Sequence, residues 1–429
     1  MMRAAAAGLA FAAVFSLAAR SAEPATAVVD LGGSRAYVQS DPGLALCGIS
    51  LFVRAGLDRQ TDDQNGLAAL VAESILRTPV NAVALTDAVT ARGGSLDYSV
   101  SPQYVRFYLE APAAQLPALA TLVAGVLAAP SFDPQTLNAA RTALAAHIAA
   151  DERDPRRVGL QMLRAAHYIG GAGMPSLGTT STLGGFGPAD AQAFFHHWYV
   201  RGDAFVTVVG RTGDASEAAS RALDAAVPAG APIPPAAIGT HEFSAQPKRL
   251  ITRRDVYAPF VVLGFAAPSL GDPDFAAALV MRTMLTEVLE PNTASTPPLL
   301  LRPGGAIYGY DTAPAFLSVW LNGGRLDPTE ALASLDAVLK RAAAQPLTDA
   351  IVSRFKARAR GEWALENLSL EERSWELGNA VAQGLDADVA ARVDEAIERV
   401  TPADLQRVAK RYFQRFDVAL VLPREGSGG

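Results

Sequence analysis

Residues 188–208 read PADAQAFFHHWYVRGDAFVTV, and residues 402–422 read PADLQRVAKRYFQRFDVALVL. The two segments align without a gap at a constant offset of 214 residues (402 minus 188). The identical pairs are Pro188/Pro402, Ala189/Ala403, Asp190/Asp404, Gln192/Gln406, Arg201/Arg415 and Asp203/Asp417. In each copy a Pro and an Asp lie where the first turn of a helix begins, and an apolar β-rich run follows the Arg and Asp. The sequence therefore predicts an internal duplication and two similar domains.

Apolar periodicity around these segments predicts the fold class. Strands are expected near 43–54 and 95–110, and helices over 66–76, 81–91, 116–128 and 134–152. Val105, Phe107 and Leu109 alternate, as one buried face of a sheet requires. Strands lie next to strands and helices next to helices, which favours an α+β fold over a doubly wound α/β fold. We expect two homologous domains, each a mainly antiparallel sheet packed with helices, arranged around a cleft.

A segment rich in Pro, Ala and Gly, within residues 224–247, separates the two halves. It has neither a helical nor an alternating period, which is typical of a linker. The expected organisation is an N-terminal domain over 28–227, a linker over 228–244 and a C-terminal domain over 245–425.

The first 25 residues have the pattern of a secretory signal peptide. Arg3 precedes an apolar run from Ala4 to Ala19, followed by small residues and Pro24. The run is shorter than the ~20 residues that a membrane-spanning helix needs. We therefore expect a cleaved signal peptide over 1–25 and a periplasmic protein without a membrane span. A retained membrane anchor is the alternative.

Composition and charge exclude several classes of function. The 429-residue chain has a formal net charge of −6 and lacks a stretch dense in Lys or Arg, which argues against binding nucleic acid or an anionic membrane surface. Its single cysteine, Cys47, rules out an intrachain disulfide. Cys47 lies in the apolar run GLALCGISLFV, which indicates a buried strand residue and not a nucleophile.

The order of several segments resembles the pitrilysin/insulinase-like zinc peptidases, in the shorter branch that contains the mitochondrial processing peptidases and their bacterial relatives. The segments carrying the resemblance are RAGLDRQTDDQNGLAALVAES (54–74), GGSLDYSVSPQYVRFYLEAP (93–112), LAAPSFDPQTLNAARTALAAHIAADERDP (127–155), SLGTTSTLGGFGPADAQAFFHHWYVRGDAFVTVVG (176–210), LLLRPGGAIYGY (299–310) and VTPADLQRVAKRYF (400–413). Active members of this family carry the zinc motif His-x-x-Glu-His on a helix.

The zinc motif is erased in this chain. The matching positions are Ala69, Ala72 and Glu73, so both imidazoles and the general base are absent. The resemblance implies one more acidic ligand some seventy residues later, where His147 is the nearest match and Glu152 lies close by. A catalytic zinc needs about three protein donors. We therefore expect no metal in this chain and a zinc ion in a homologous partner subunit.

The resemblance also implies a pair of hydrogen-bond donors in the second domain. In processing-type peptidases an Arg and a Tyr, six residues apart across a glycine turn, reach the scissile peptide. Arg302 and Tyr308 have that spacing, with Gly304 and Gly305 between them suited to a close approach of a peptide backbone. Tyr310 is an alternative to Tyr308, and ordinary strand and turn residues are the alternative to a site.

The sequence thus predicts the metal-free subunit of a heteromeric periplasmic zinc peptidase that acts on unfolded peptides. Arg302 and Tyr308 would supply contacts to substrate and transition state in the zinc-bearing partner's site. The alternative is a subunit of the same fold that has no catalytic role and is structural or binds peptides as a chaperone does.

Overall fold

The computed structural model describes residues 26–234, 237–243, 246–256, 258–288, 301–323 and 347–424; for 288, 301–304 and 322–323 it describes the backbone alone. The predicted signal peptide, residues 1–25, lies outside the described residues. Among the helices within those ranges, none has both the length and the apolar composition needed to cross a membrane.

The first half of the chain forms a six-stranded sheet. Its strands are β1 (Ala27–Asp30), β2 (Arg35–Ser40), β3 (Leu46–Val53), β6 (Ser95–Val100), β7 (Val105–Pro112) and β9 (Ala204–Gly210). They lie in the order β1-β2-β9-β3-β7-β6, and every neighbouring pair except β2/β9 is antiparallel. Two short strands, β4 (Pro79–Val80) and β5 (Val83–Ala84), form a separate hairpin.

The second half forms a five-stranded sheet. Its strands are β11 (Arg249–Arg254), β12 (Phe260–Ala267), β13 (Leu301–Gly309), β14 (Ala315–Gly323) and β15 (Asp417–Pro423). They lie in the order β11-β15-β12-β14-β13, and only β11/β15 is parallel. A separate two-stranded pair joins β8 (Tyr168–Ile169), which precedes β9, to β10 (Gly239–Thr240), which precedes β11.

Helices cover both sheets. In the first half they are α1 (Leu67–Arg77), α2 (Leu85–Thr90), α3 (Leu116–Ala128), α4 (Pro134–Arg153), α5 (Pro155–His167), α6 (Thr180–Gly185), α7 (Pro188–Trp198) and α8 (Asp214–Ala226). In the second half the described helices are α9 (Phe275–Val288), α10 (Asp349–Glu366), α11 (Leu370–Ala382), α12 (Val393–Arg399) and α13 (Pro402–Tyr412). The α+β class is confirmed.

The duplication predicted from the sequence is also confirmed. Adding 214 to the bounds of β2, β3 and α7 gives the bounds of β11, β12 and α13. Apart from β1, equivalent strands have the same order in both sheets. The two equivalent helices also begin alike: Asp190 accepts from the Gly187 amide at 2.7 Å, and Asp404 accepts from the Thr401 amide at 2.9 Å.

One helix from each half packs on the sheet of the other half. Helix α5 lies on β12 and β15 of the second sheet, and α11 lies on β3 and β9 of the first. The 214-residue offset maps α5 onto α11 within one residue. Glycines permit the close approach: a Cβ at Gly159 would lie 2.4 Å from Val262, and one at Gly378 would lie 2.0 Å from Phe52. The halves are therefore interlocked and not merely tethered.

A buried hydroxyl cluster fixes α11 against the first sheet. Ser374 Oγ lies 2.7 Å from Ser50 Oγ and 2.7 Å from Thr207 Oγ1, and the Thr207 hydroxyl also donates to the Ser374 carbonyl at 3.2 Å. None of the three residues exposes more than a trace of its surface. Because buried hydroxyls need partners, Ser50 and Thr207 on the first sheet both depend on Ser374 of α11.

Helix α11, the crossing helix that packs on the first sheet, accounts for one difference from the structure expected from the sequence. The alternation in 95–110 predicted a strand with one buried face, but the segment forms a hairpin, β6 and β7, and β7 is buried on both faces. Arg106, on the face opposite Val105 and Phe107, is only 5% exposed and donates to Glu371 Oε1 at 2.5 Å. Cys47 is buried as expected, and burial raises the pKa of its thiol to about 12.

Candidate functional site

Helix α1 keeps the frame of a zinc helix without its donors. It begins after Gly66, which is in the left-handed region at φ 99°; a Cβ there would lie 2.9 Å from Gly178. Ala69 and Ala72 have no exposed surface and belong to the main apolar core of the first half. The helix packs against α4 and α7, so it has a structural role that does not need the zinc ligands.

Glu73, at the second histidine position, is engaged in a local ion pair. Its Oε1 accepts from Arg77 Nε at 2.7 Å, one helical turn later, while Glu73 itself is only 4% exposed. Burial, and then the charge and hydrogen bond of Glu73, raise the pKa of the Tyr98 phenol well above its usual value. A carboxylate held between a guanidinium and a phenol stands where a metal ligand would be.

The structure does not bring the remaining candidate donors to Glu73. The core-facing residues of α4 are Thr136, Leu137, Ala140, Leu144 and Ile148. His147 and Glu152 lie outside that stripe and are exposed. Within the described ranges, no group of three or more His, Cys, Asp or Glu side chains is placed to hold a metal ion. The donor set at α1 therefore does not fit a catalytic zinc, which needs about three protein ligands.

The segment carrying Arg302 and Tyr308 is one continuous strand and not a glycine turn, so the expected local shape was wrong. Strand β13 has a bulge between Pro303 and Gly305, with Arg302 opposite Asn322 and Tyr308 opposite Leu317 on β14. From Arg302 to Tyr308 the chain advances six residues on β13, whereas their partners Asn322 and Leu317 are five residues apart on β14. Because side chains alternate along a strand, the register does not place positions 302 and 308 on the same side of the sheet.

The glycines at the bulge have a local explanation. Gly305 has φ 142°, and a Cβ there would lie 2.6 Å from the Trp320 indole. Glycine is needed at this position by the backbone and by the neighbouring ring. Gly304 is the residue that the register skips. The side chain of Arg302 lies outside the described part of the chain.

Tyr308 points into the second domain's core. It is 6% exposed, its hydroxyl donates to the Pro268 carbonyl at 2.6 Å, and its ring packs 5.3 Å from Phe275. Burial raises the pKa of the phenol well above its usual value. The Tyr308 hydroxyl, which the sequence predicted to contact a substrate, therefore donates its hydrogen bond to Pro268 inside the domain.

Tyr310, the alternative tyrosine, is buried against the crossing helix. Its hydroxyl donates to Glu376 Oε2 at 2.8 Å, and its carbonyl accepts from Gln383 Nε2 at 2.7 Å and Asn379 Nδ2 at 3.2 Å. Burial raises the pKa of the Glu376 carboxyl to about 8. Sequence reasoning missed Glu376; the available signal was a carboxylate directly before the uncharged run LGNAVA (377–382).

Comparisons with known proteins concern the family match and the fold. Residues 35–180 match the family model described as Insulinase (Peptidase family M16). No curated protein matches the sequence.

Several solved structures have the same fold. A protease from Helicobacter pylori is 16% identical, with a TM-score of 0.79 over 93% of this chain and 100% of that one. A peptidase M16 inactive domain from Pseudomonas fluorescens is 16% identical, with a TM-score of 0.77 over 93% and 98%. A chain of Complex III2 from Candida albicans is 13% identical, with a TM-score of 0.74 over 92% and 95%. Residues 35–180 are a domain of the insulinase family, peptidase family M16, and the described chain has the two-domain fold of M16-like peptidases.

Proposed function

We propose that this chain is the metal-free subunit of a heteromeric zinc peptidase whose homologous partner carries the zinc. One observation carries the proposal: the α1 frame is kept and packed, while Ala69, Ala72 and Glu73 replace the donors. A chain that keeps the whole fold but loses the ligands resembles the inactive M16 domain in the comparisons. Its retained role would be to close a peptide chamber together with the partner.

The compartment and the substrate class belong to the same proposal. The Arg3-led apolar run supports export to the periplasm with cleavage of residues 1–25. A chamber enclosed between two subunits admits unfolded peptides and excludes folded domains. The formal net charge of −6 supports a peptide substrate over nucleic acid.

In the mixed complex, Arg302 is the proposed donor to the substrate. A guanidinium fork can donate to a peptide carbonyl and to the oxyanion that develops on attack. Removal of one such donor typically costs ~2.7 to 4 kcal/mol in the transition state. For Tyr308 to act as well, its hydroxyl would have to leave the Pro268 carbonyl, which it contacts at 2.6 Å, and reach the side of the sheet that carries position 302. Gly304 and Gly305 would then line the approach of the peptide backbone.

A second candidate is a subunit without a catalytic role, which is structural or binds peptides. The internal hydrogen bond of Tyr308 favours it, because the residue then has a complete explanation within its own domain. The similarity to a chain of Complex III2 is compatible with this candidate as well.

One experiment separates the candidates. The chain is co-expressed with an M16 homologue that has an intact His-x-x-Glu-His motif, the complex is isolated by size exclusion, and kcat/KM is measured on an unstructured peptide. Arg302→Ala should lower kcat/KM by roughly 10² if the donor acts in the transition state. Arg399→Ala, at an exposed ion pair with Glu395, is the control and should leave turnover unchanged.

Three outcomes are decisive. Loss of turnover in Arg302→Ala with an intact complex supports the catalytic subunit. A stable complex with wild-type turnover in both Arg302→Ala and Tyr308→Phe supports the structural subunit. Failure to form any complex with zinc-bearing homologues, together with peptide binding by the monomer, contradicts both heteromeric roles and leaves a stand-alone peptide-binding protein.

A further inference from the structure

Strands β2 and β11 are equivalent in the duplication, but their outer edges differ in whether another strand pairs with them. In the first sheet, the outer edge of β2 pairs with β1 in antiparallel register. Its equivalent in the second sheet is β11, and among the residues that the structure describes only β15 pairs with β11. The same strand is thus internal in one half and forms the edge in the other.

The backbone of β11 shows which groups face that edge. The Lys248 carbonyl accepts from the Val418 amide at 2.9 Å, and the Arg254 carbonyl accepts from the Arg424 amide at 3.0 Å. Even-numbered residues therefore direct their main-chain groups toward β15. Because main-chain direction alternates along a strand, those of Arg249 and Ile251 face the edge. These backbone N–H and C=O groups have the spacing of those on β2 that pair with β1, so they could pair with an added strand.

The side chains at this edge have a distinct chemistry. Ile251 is 60% exposed, and Arg249 and Arg253 on the same face are exposed too. Lys248 precedes them, so a short basic run with one apolar residue borders the sheet in a chain whose net charge is −6. Antiparallel self-pairing of two such edges would bring Arg against Arg, which is unfavourable. A second copy of β11 is therefore not the expected occupant.

The first half indicates what the occupant looks like. There, Asp30 of β1 lies opposite Arg35 and Val28 lies opposite Tyr37. At the 214-residue offset, Arg249 is the equivalent of Arg35, and Ile251 is the equivalent of Tyr37. A strand with the same pattern as β1 would thus place an acidic residue opposite Arg249 and an apolar residue opposite Ile251, and opposite charges across a strand pair are stabilising.

We propose that the β11 edge binds an extended segment of another protein, added antiparallel to the sheet, with the pattern acidic-x-apolar-x-acidic. The apolar residue lies against Ile251, and the acidic residues lie opposite Arg253 and Arg249. The main chain supplies the affinity and these three side chains supply the selection, as in other cases of strand addition. This inference stands independently of the proposed peptidase role.

The test uses the full chain and a fluorescein-labelled peptide, GDTVTDG, followed by fluorescence anisotropy. Arg249→Glu should weaken binding about tenfold, because a favourable cross-strand charge pair becomes a repulsive one. Arg35→Glu, at the equivalent and already covered position of β2, is the matched control and should leave affinity unchanged. Circular dichroism confirms that both variants fold.

Backbone methylation distinguishes strand addition from charge attraction. Methylating the amide of the central Val, which would face β11, should abolish binding, whereas methylating the neighbouring Thr, which would face solvent, should preserve it. The proposal is overturned if the peptide does not bind, if Arg249→Glu binds as well as Arg35→Glu, or if both methylations have the same effect. Displacement by an unstructured acidic polymer as effectively as by unlabelled peptide would likewise show binding by charge alone.

Discussion

The Glu376 carboxyl offers a prediction whose size follows from the structure. It is buried at 5% exposure on the crossing helix α11, accepts from Tyr310 through Oε2, and has no partner for Oε1 among the described residues. Burial raises its pKa from 4.5 to about 8. The charge of Glu366 raises the Glu376 pKa further. The hydrogen bond from Tyr310 lowers this pKa but does not outweigh the effect of burial.

The sign of the pH dependence follows from linkage. Below pH 4.5 the folded and unfolded carboxyls both hold the proton. Between 4.5 and about 8 the unfolded carboxyl has lost it while the folded one keeps it, so the free energy of unfolding falls as pH rises. At ~1.36 kcal/mol per pKa unit, the loss reaches about 5 kcal/mol at most once the pH exceeds the folded pKa.

The perturbation is Glu376→Gln, which keeps the shape and removes the titration. Urea unfolding is followed by circular dichroism near pH 5 and near pH 8.5 for wild type and variant. The amide adds an offset that does not depend on pH. Between the two pH values the stability of the variant relative to wild type should rise by up to about 4 kcal/mol, because the unfolded carboxyl has already lost most of its proton at pH 5. Glu242→Gln, at an exposed position, is the control and should show no such shift. A pH-independent difference for Glu376→Gln would refute the buried neutral carboxyl.

Gly378→Ala should destabilise the protein by about 1 to 3 kcal/mol, since its Cβ would lie 2.0 Å from Phe52, whereas Gly361→Ala, with open space around it, should be neutral or stabilising; thermal unfolding of both compares them. Ser374→Ala should cost about 1 to 3 kcal/mol in urea unfolding, because the buried Ser50 hydroxyl loses its partner and Thr207 keeps only the Ser374 carbonyl; a cost near zero would contradict the cluster. Ala82→Gly should raise the unfolding free energy by about 1 kcal/mol, because residue 82 has φ 68° at a hairpin turn, and an unchanged midpoint would contradict it. The purified chain should contain no stoichiometric zinc by elemental analysis; one tightly held zinc per chain, with chelator-sensitive cleavage, would contradict the proposed metal-free subunit.

Part of the site was predictable from the sequence because it is a matter of residue identity. In the His-x-x-Glu-His motif the first imidazole corresponds to Ala69 and the general base to Ala72, so the loss of both groups is predicted by residue identity before any folding is known. The geometry around Arg302 and Tyr308 was not predictable in this way. A single bulged residue at Gly304 changes the register, and a hydrogen bond to Pro268 turns the Tyr308 hydroxyl inward.

The sequence by itself determined the duplication, the helix starts at Pro188 and Pro402 and the burial of Cys47, because each depends on residues close together in the chain or on a repeated pattern. Only the tertiary structure decided that α5 and α11 exchange sheets, that β7 is buried on both faces, and that Glu376 is enclosed beside Tyr310. These features depend on contacts between residues far apart in sequence, such as Ser50 with Ser374. Local periodicity records that a face is apolar but not which distant element will cover it.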